Sequence, residues 1–173
     1  MFALDILLQV VGAFYMFAGI VLARAVLLDR MLEKARGVVA GSSPPAIARV
    51  RTWYCVGLAV LTYLSGLALM SLCDLAIHFF LLTLLLQAAF LFWIAPRFLD
   101  TPASAQSKGR AQSTNAFVIF MAATALVAWA TSLGRLQAVE EADANSLLMT
   151  GGLIAIYLAY VLWLIVQTRV RRM

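Results

Sequence analysis

Five apolar stretches dominate this sequence, and each is close in length to a helix that crosses a membrane. They run over residues 4–22, 54–70, 75–95, 116–133 and 147–166. A helix needs about 20 apolar residues to cross about 30 Å of hydrocarbon. The stretches therefore predict an all-α integral membrane protein, in which residues 1–173 form one compact bundle of five transmembrane helices.

The composition agrees with a membrane protein and argues against a nucleic-acid-binding one. Charged residues make up 12% of the chain, whereas a soluble domain has about 25%. The net charge of +5 would by itself suit binding to nucleic acid. Because the positive residues flank the apolar stretches and form no single patch, we predict no nucleic-acid partner.

The positive residues also predict which ends of the helices face the cytoplasm. Twelve of the thirteen Lys and Arg residues follow the first, third or fifth apolar stretch, and only Arg135 lies in the other connections. An excess of Lys and Arg in short loops marks the cytoplasmic side of a membrane. The sequence therefore predicts an amino terminus outside and a carboxyl terminus in the cytoplasm.

The distribution of positive residues at the two ends of the chain bears on this topology. No Lys or Arg precedes the first apolar stretch, unlike a cleaved signal peptide, so we expect a multi-pass protein of the bacterial inner membrane. A four-span alternative treats residues 54–95 as one crossing plus a re-entrant segment. That alternative would place Arg169, Arg171 and Arg172 on the face opposite the other positive residues.

Polar residues between the stretches predict where several helices begin. Ser71, with Asp74 three residues later, is typical of a capping box at the start of the third helix. Residues 100–113 are polar and are expected to be flexible, with Ser113 or Thr114 capping the fourth helix. Residues 25–39 mix apolar and charged residues, which predicts an amphipathic extension of the first helix along the cytoplasmic headgroups.

Small residues predict the faces on which helices pack, because lipid provides no hydrophobic drive for helix association. Gly12 and Gly19 mark such a face on the first span, and Gly66 marks one on the second. On the fifth span, small residues recur every four positions at Gly151, Ala155 and Ala159. This ladder either packs inside the bundle or binds another membrane protein, including a second copy of the chain.

Ionisable and amide side chains near the outer ends of the spans predict a polar pocket. Asp74 and His78 are four residues apart, so they share one helical face, and their expected depth matches that of Asp5 and Gln9. Ionisable groups inside a span often mark functional sites. The hypothesis is an outward-facing or proton-binding pocket; the alternative is solvation at the interface, with Asp74 as a helix cap.

The predicted cytoplasmic face carries a basic surface. Its members are Arg30, Lys34, Arg36, Arg97 and Arg110. Positive side chains at this depth attract anionic lipid headgroups at about 1 kcal/mol per charge. Lipid binding is therefore expected there, and an acidic partner protein is the alternative.

No catalytic or metal-binding pattern stands out. The chain has one His and two Cys at distant positions, which gives no zinc set, and it contains none of the common nucleophile or phosphate-binding motifs. We therefore predict no metal, no cofactor and no catalytic residue. The leading hypothesis is a non-catalytic accessory or assembly subunit, and the alternative is a transporter, channel or ligand-binding protein that uses the polar pocket. A membrane enzyme acting on lipid or quinone is the third.

Overall fold

The computed structural model describes residues 2–39, 46–94, 106–136 and 144–170. Across these residues the chain is helical and contains no strand. The helices are α1 (Phe2–Val39), α2 (Ala46–Met70), α3 (Leu75–Ala89), α4 (Gln106–Ser132) and α5 (Ala144–Val170), and a π-helical turn (Phe90–Ile94) continues α3. The all-α prediction is confirmed.

In the described ranges, five helical segments are long and apolar enough to cross a membrane, as the sequence predicts. They are Ala3–Leu32, Arg49–Met70, Leu75–Ile94, Ser113–Ser132 and Leu148–Gln167. The first belongs to a helix of 38 residues, or about 57 Å at 1.5 Å per residue. The predicted extension at residues 25–39 is therefore one unbroken helix with the first span.

The turn between α2 and α3 is short, and no capping box forms in it. Asp74 is the N-cap residue of α3 and its side chain makes no capping hydrogen bond. The Ser71 hydroxyl instead donates to the Leu67 carbonyl oxygen at 3.1 Å. The capping-box prediction is therefore wrong, because Ser71 still lies within bonding reach of the last turn of α2.

Backbone hydrogen bonds close α2 instead. The Leu72 amide donates to the Leu69 carbonyl at 3.0 Å, and the Cys73 amide donates to the Ala68 carbonyl at 2.9 Å. Leu72 has a φ of 51°, in the left-handed region. This pattern is a Schellman motif, in which glycine is the usual left-handed residue. Leu72 packs against the buried core at this end of the bundle, which offsets its backbone strain.

The prediction for the start of α4 is also wrong. The helix begins at Gln106, so Ser113 and Thr114 lie about two turns inside it and not at its start. Residues 106–112 are rich in Gln, Ala, Lys and Arg, which favour helix even without an apolar face. Polarity alone therefore misplaced this boundary.

α1 and α2 form the antiparallel pair around which the other helices pack. α2 is the most enclosed of the described helices: 56% of its membrane-length segment is buried, against 11% for α5. At one end of the pair, Arg51 on α2 donates to Asp29 on α1 at 3.2 Å. We call this the Asp29 end of the bundle, and the opposite end the Asp5 end.

The buried side chains form two clusters, one toward each end. The cluster at the Asp5 end has members from α1, α2, α3 and α4. In it the rings of Tyr15, Phe80 and Phe120 are in mutual contact at centroid distances of 5.1–5.4 Å. The cluster toward the Asp29 end joins α1, α2 and α5, and includes Leu27 and Val161. α5 therefore contributes described side chains to one cluster only, and a contact of 3.3 Å between the Ser71 and Thr150 hydroxyls joins it to the end of α2.

Candidate functional site

An ion pair between Asp5 and Arg135 joins α1 to the segment that follows α4. The Arg135 Nε donates to Asp5 Oδ1 at 3.1 Å, and its Nη2 donates to Oδ2. Each side chain is 26% exposed. A two-point contact between guanidinium and carboxylate fixes orientation as well as distance. The charge of Asp5 is thus met by the one Lys or Arg in the sequence that does not follow the first, third or fifth apolar stretch.

The backbone after α4 directs Arg135 toward α1. Gly134 has a φ of 66° and its amide donates to the Thr131 carbonyl at 2.9 Å, while the Arg135 amide donates to the Ala130 carbonyl at 3.1 Å. This is a second Schellman motif, here with the glycine that its left-handed residue favours. The hydrogen bond with Asp5, and then its negative charge, raise the pKa of Arg135 above its ordinary value. Arg135 therefore stays protonated.

The other residues of the predicted polar pocket do not share this contact. Gln9 and His78 have exposed side chains. Asp74 is half-buried, with its Oδ1 4.0 Å from the Cys73 Sγ. Asp5 is paired with Arg135 and with none of these three. A joint role for the four residues stays a prediction.

Three of the predicted packing glycines lie in the contact between α1 and α2. A Cβ atom added to Gly12 would lie 2.7 Å from the Gly66 carbonyl oxygen, and one added to Gly66 would lie 2.5 Å from the Gly12 carbonyl oxygen. A Cβ on Gly19 would lie 2.8 Å from the Cβ of Tyr63. At all three positions only glycine lets the two backbones approach this closely.

The small residues of α5 lie in a different setting. Gly151, Ala155 and Ala159 are exposed, and a Cβ added to Gly151 would meet no atom within 4 Å. The buried residues Tyr157 and Val161 lie on another face of the same helix. The ladder Gly151–Ala155–Ala159 is therefore not used for packing within the described part of the bundle.

A pair of tyrosines that the sequence did not reveal fastens α5 to the central pair. The rings of Tyr63 and Tyr157 stack with centroids 3.8 Å apart and planes 9° apart. The Tyr63 hydroxyl donates to the Leu153 carbonyl at 3.1 Å, and the Tyr157 hydroxyl donates to the Gly19 carbonyl at 3.3 Å. Because Gly19 has no side chain, its carbonyl oxygen is accessible to the Tyr157 hydroxyl of α5.

Little of the predicted basic surface can be located. The guanidinium carbon of Arg30 lies 5.4 Å from the ring centroid of Trp53, a cation–π contact that joins α1 to α2. Arg97 lies outside the described residues, as do the side chains of Lys34, Arg36 and Arg110. Binding of anionic lipid by this surface stays a prediction.

A groove of about 390 Å³ lies between α1 and α5 toward the Asp29 end, and sequence reasoning did not find it. It is lined by Arg24, Leu27, Leu28, Met31, Tyr160, Trp163, Leu164 and Gln167. Arg24 is exposed and has no carboxylate partner among the described residues. The sequence signal for the groove is a repeat at i, i+3, i+4 and i+7, which appears in both helices.

The described residues contain no group of three His, Cys, Asp or Glu side chains placed to hold a metal ion. Cys55 and Cys73 are both half-buried free thiols. Comparison of the chain with protein-family models, with curated proteins and with solved structures gives no match.

Proposed function

We propose that this chain is a non-catalytic accessory or assembly subunit of a membrane complex in the bacterial inner membrane, and that it acts through helix–helix contacts. The apolar helices supply the means of insertion, and the placement of Lys and Arg supports an amino terminus outside and a carboxyl terminus in the cytoplasm. In this orientation the Asp5 end faces outward and the Asp29 end faces the cytoplasm.

The observation that carries the proposal is the exposed ladder on α5. Within the bundle, Gly12, Gly19 and Gly66 lie where backbones approach closely. The small residues of the α5 ladder are exposed instead, and a Cβ added to Gly151 would meet no atom within 4 Å. Small residues give a lipid-facing helix no advantage, whereas they allow a second helix to approach its backbone. A transmembrane helix of a partner protein is the occupant that this surface favours.

The pocket hypothesis has less support from the geometry. The Asp5 carboxylate is paired with the Arg135 guanidinium, so it is not available to bind a cation or a proton. Gln9 and His78 expose their side chains at the helix surfaces. These placements suit stabilisation of the Asp5 end and solvation at the interface better than a pathway into the bundle.

Affinity purification tests the proposal. The full chain carries a tag, membranes of the native host are crosslinked and solubilised in a mild detergent, and the retained proteins are identified by mass spectrometry. We expect a stable membrane-protein partner with the wild type. The double variant Gly151→Leu/Ala155→Leu should reduce its recovery at least about tenfold, because about 1.4 kcal/mol of lost contact lowers affinity by that factor.

The matched control is Gly57→Leu, which makes the same change at an exposed glycine of α2 with open space above it. This variant should retain the partner. Full recovery by the α5 double variant would overturn the assignment of the ladder, and a wild type that purifies alone after crosslinking would overturn the accessory function.

Orientation has a separate test. Reporter fusions at the two ends of the chain, active on one side of the membrane only, should report opposite compartments. If both reporters are active in the same compartment, the proposed topology is wrong.

A further inference from the structure

We infer that the groove between α1 and α5 binds the headgroup and upper acyl chain of one anionic phospholipid, with Arg24 as the residue that selects for negative charge. The inference requires the helices to lie in a bilayer, but it requires no partner protein. It concerns residues outside the predicted basic surface. Arg24 is not a member of that surface and lies nearer the middle of the bundle than Asp29 does.

The shape of the groove follows from matched faces of two helices. Its α1 side consists of Arg24, Leu27, Leu28 and Met31, and its α5 side of Tyr160, Trp163, Leu164 and Gln167. Each set has the i, i+3, i+4, i+7 spacing that places four side chains on one helical face. The volume of about 390 Å³ lies in the range of ligand-binding sites, and the groove runs along the helices.

The depth of the groove matches the boundary between headgroups and hydrocarbon. Gln167 is the last residue of the apolar segment of α5. The Asp29–Arg51 ion pair marks the polar end of α1, and Arg24 lies five residues, or about 7.5 Å, deeper along that helix. A long arginine side chain can span that distance with its apolar stem in the hydrocarbon and its guanidinium at the headgroups.

The chemistry of the lining selects a lipid over a soluble anion. Six of the eight lining side chains are aliphatic or aromatic, so the walls suit an acyl chain. Leu28 and Trp163 are about half exposed, and Trp163 stacks loosely with Tyr160, at a centroid distance of 6.3 Å. Arg24 adds a permanent positive charge, and the amide of Gln167 adds hydrogen-bond donors for phosphate or ester oxygens.

Quenching of Trp163 fluorescence by brominated lipid measures occupancy of this groove directly. The full chain, with Trp53, Trp93 and Trp129 replaced by Phe, is reconstituted into phosphatidylcholine vesicles that contain increasing brominated phosphatidylglycerol. One suitably placed charge contributes about 1 kcal/mol, so phosphatidylglycerol should bind near Trp163 about fivefold more tightly than phosphatidylcholine. Arg24→Gln should reduce this ratio to about one, and Arg24→Lys should keep most of it.

Two controls come from the chain itself. Arg49→Gln removes an exposed positive charge from α2, outside the groove, and should leave the ratio at Trp163 unchanged. A variant that retains only Trp129, which is exposed on α4 toward the Asp5 end and far from the predicted basic surface, should report a ratio of about one. Equal ratios at Trp163 and Trp129, an unchanged ratio in Arg24→Gln, or an equal loss in Arg49→Gln would each overturn the groove assignment. Because the purified chain is tested alone, such a result leaves the partner proposal standing.

Discussion

The close contact between α1 and α2 makes a sharp prediction about a single methyl group. In Gly66→Ala, the new Cβ would lie 2.5 Å from the Gly12 carbonyl oxygen and close to the Met16 amide nitrogen. Both neighbours are backbone atoms of a long helix, so neither can rotate away as a side chain would. The two helices must separate, or the local backbone must distort.

The expected magnitude follows from two opposing effects. Overfilling a well-packed contact costs about 1–3 kcal/mol. Alanine in place of glycine within a helix contributes up to about 1 kcal/mol in the opposite direction in water. The contact should dominate because α2 is the most enclosed of the described helices. A net loss of about 1–2 kcal/mol corresponds to a folding equilibrium constant about 5–30 times smaller.

Gly57→Ala is the matched control for this prediction. Gly57 lies on the same helix, but a Cβ added there meets no atom within 4 Å. Its substitution should leave the stability unchanged or raise it by up to about 1 kcal/mol.

Unfolding of the purified protein in mixed micelles provides the measurement. The fraction of SDS in dodecyl maltoside is raised while tryptophan fluorescence is followed, and the free energy of unfolding is compared between variants. If Gly66→Ala is as stable as the wild type, or if Gly57→Ala loses as much, the close backbone contact is not what makes glycine necessary.

Two further predictions use the same unfolding assay. Tyr157→Phe keeps the stacked ring but removes the hydrogen bond to the Gly19 carbonyl, so it should lower the free energy of unfolding by about 0.5–1.5 kcal/mol. The control Tyr160→Phe should lower the free energy of unfolding less. Equal values for the two variants would contradict this role of the Tyr157 hydroxyl. Asp5→Asn and Arg135→Gln should each lower the SDS midpoint, and the double variant should lose less than the sum of the two single losses, because the partners interact directly. Additive losses would show that the pair is not coupled.

The positions of the apolar helical segments, and small-residue faces on the first two of them, could be predicted from the sequence. The length of each apolar stretch locates the segments that can cross hydrocarbon. In hydrocarbon every backbone N–H and C=O group must be hydrogen-bonded within its own helix. Gly12, Gly19 and Gly66 were expected on packing faces, and they lie between α1 and α2, where a side chain would collide with the opposing backbone. Small residues carry this signal because they are rarely useful elsewhere in lipid.

Other features depend on angles that periodicity does not specify. The stacking of Tyr63 on Tyr157 requires the relative rotation of α2 and α5, which neither span reveals alone. The Asp5–Arg135 pair depends on the turn at Gly134, a backbone motif of a few residues. The groove around Arg24 depends on the distance between two helices that are far apart in the chain.

The start of α4 differs from its prediction for a physical reason. The polar composition of residues 100–113 predicts a flexible connection, whereas the helix already begins at Gln106. A polar residue at a membrane surface can equally continue a helix into water, since its backbone bonds are satisfied either way. Hydropathy therefore reports the thickness of the bilayer more reliably than the length of the helix.

The separation of the two buried clusters bears on how the protein is made. Every described member of the Asp5-end cluster comes from residues before position 137, and none comes from α5. Because α5 contributes nothing to that cluster, α1–α4 can pack together before α5 docks. The last helix then adds to a preformed surface through Tyr157 and Val161. Biogenesis would thus leave a period in which a neighbouring protein can engage α5 before it settles against α1.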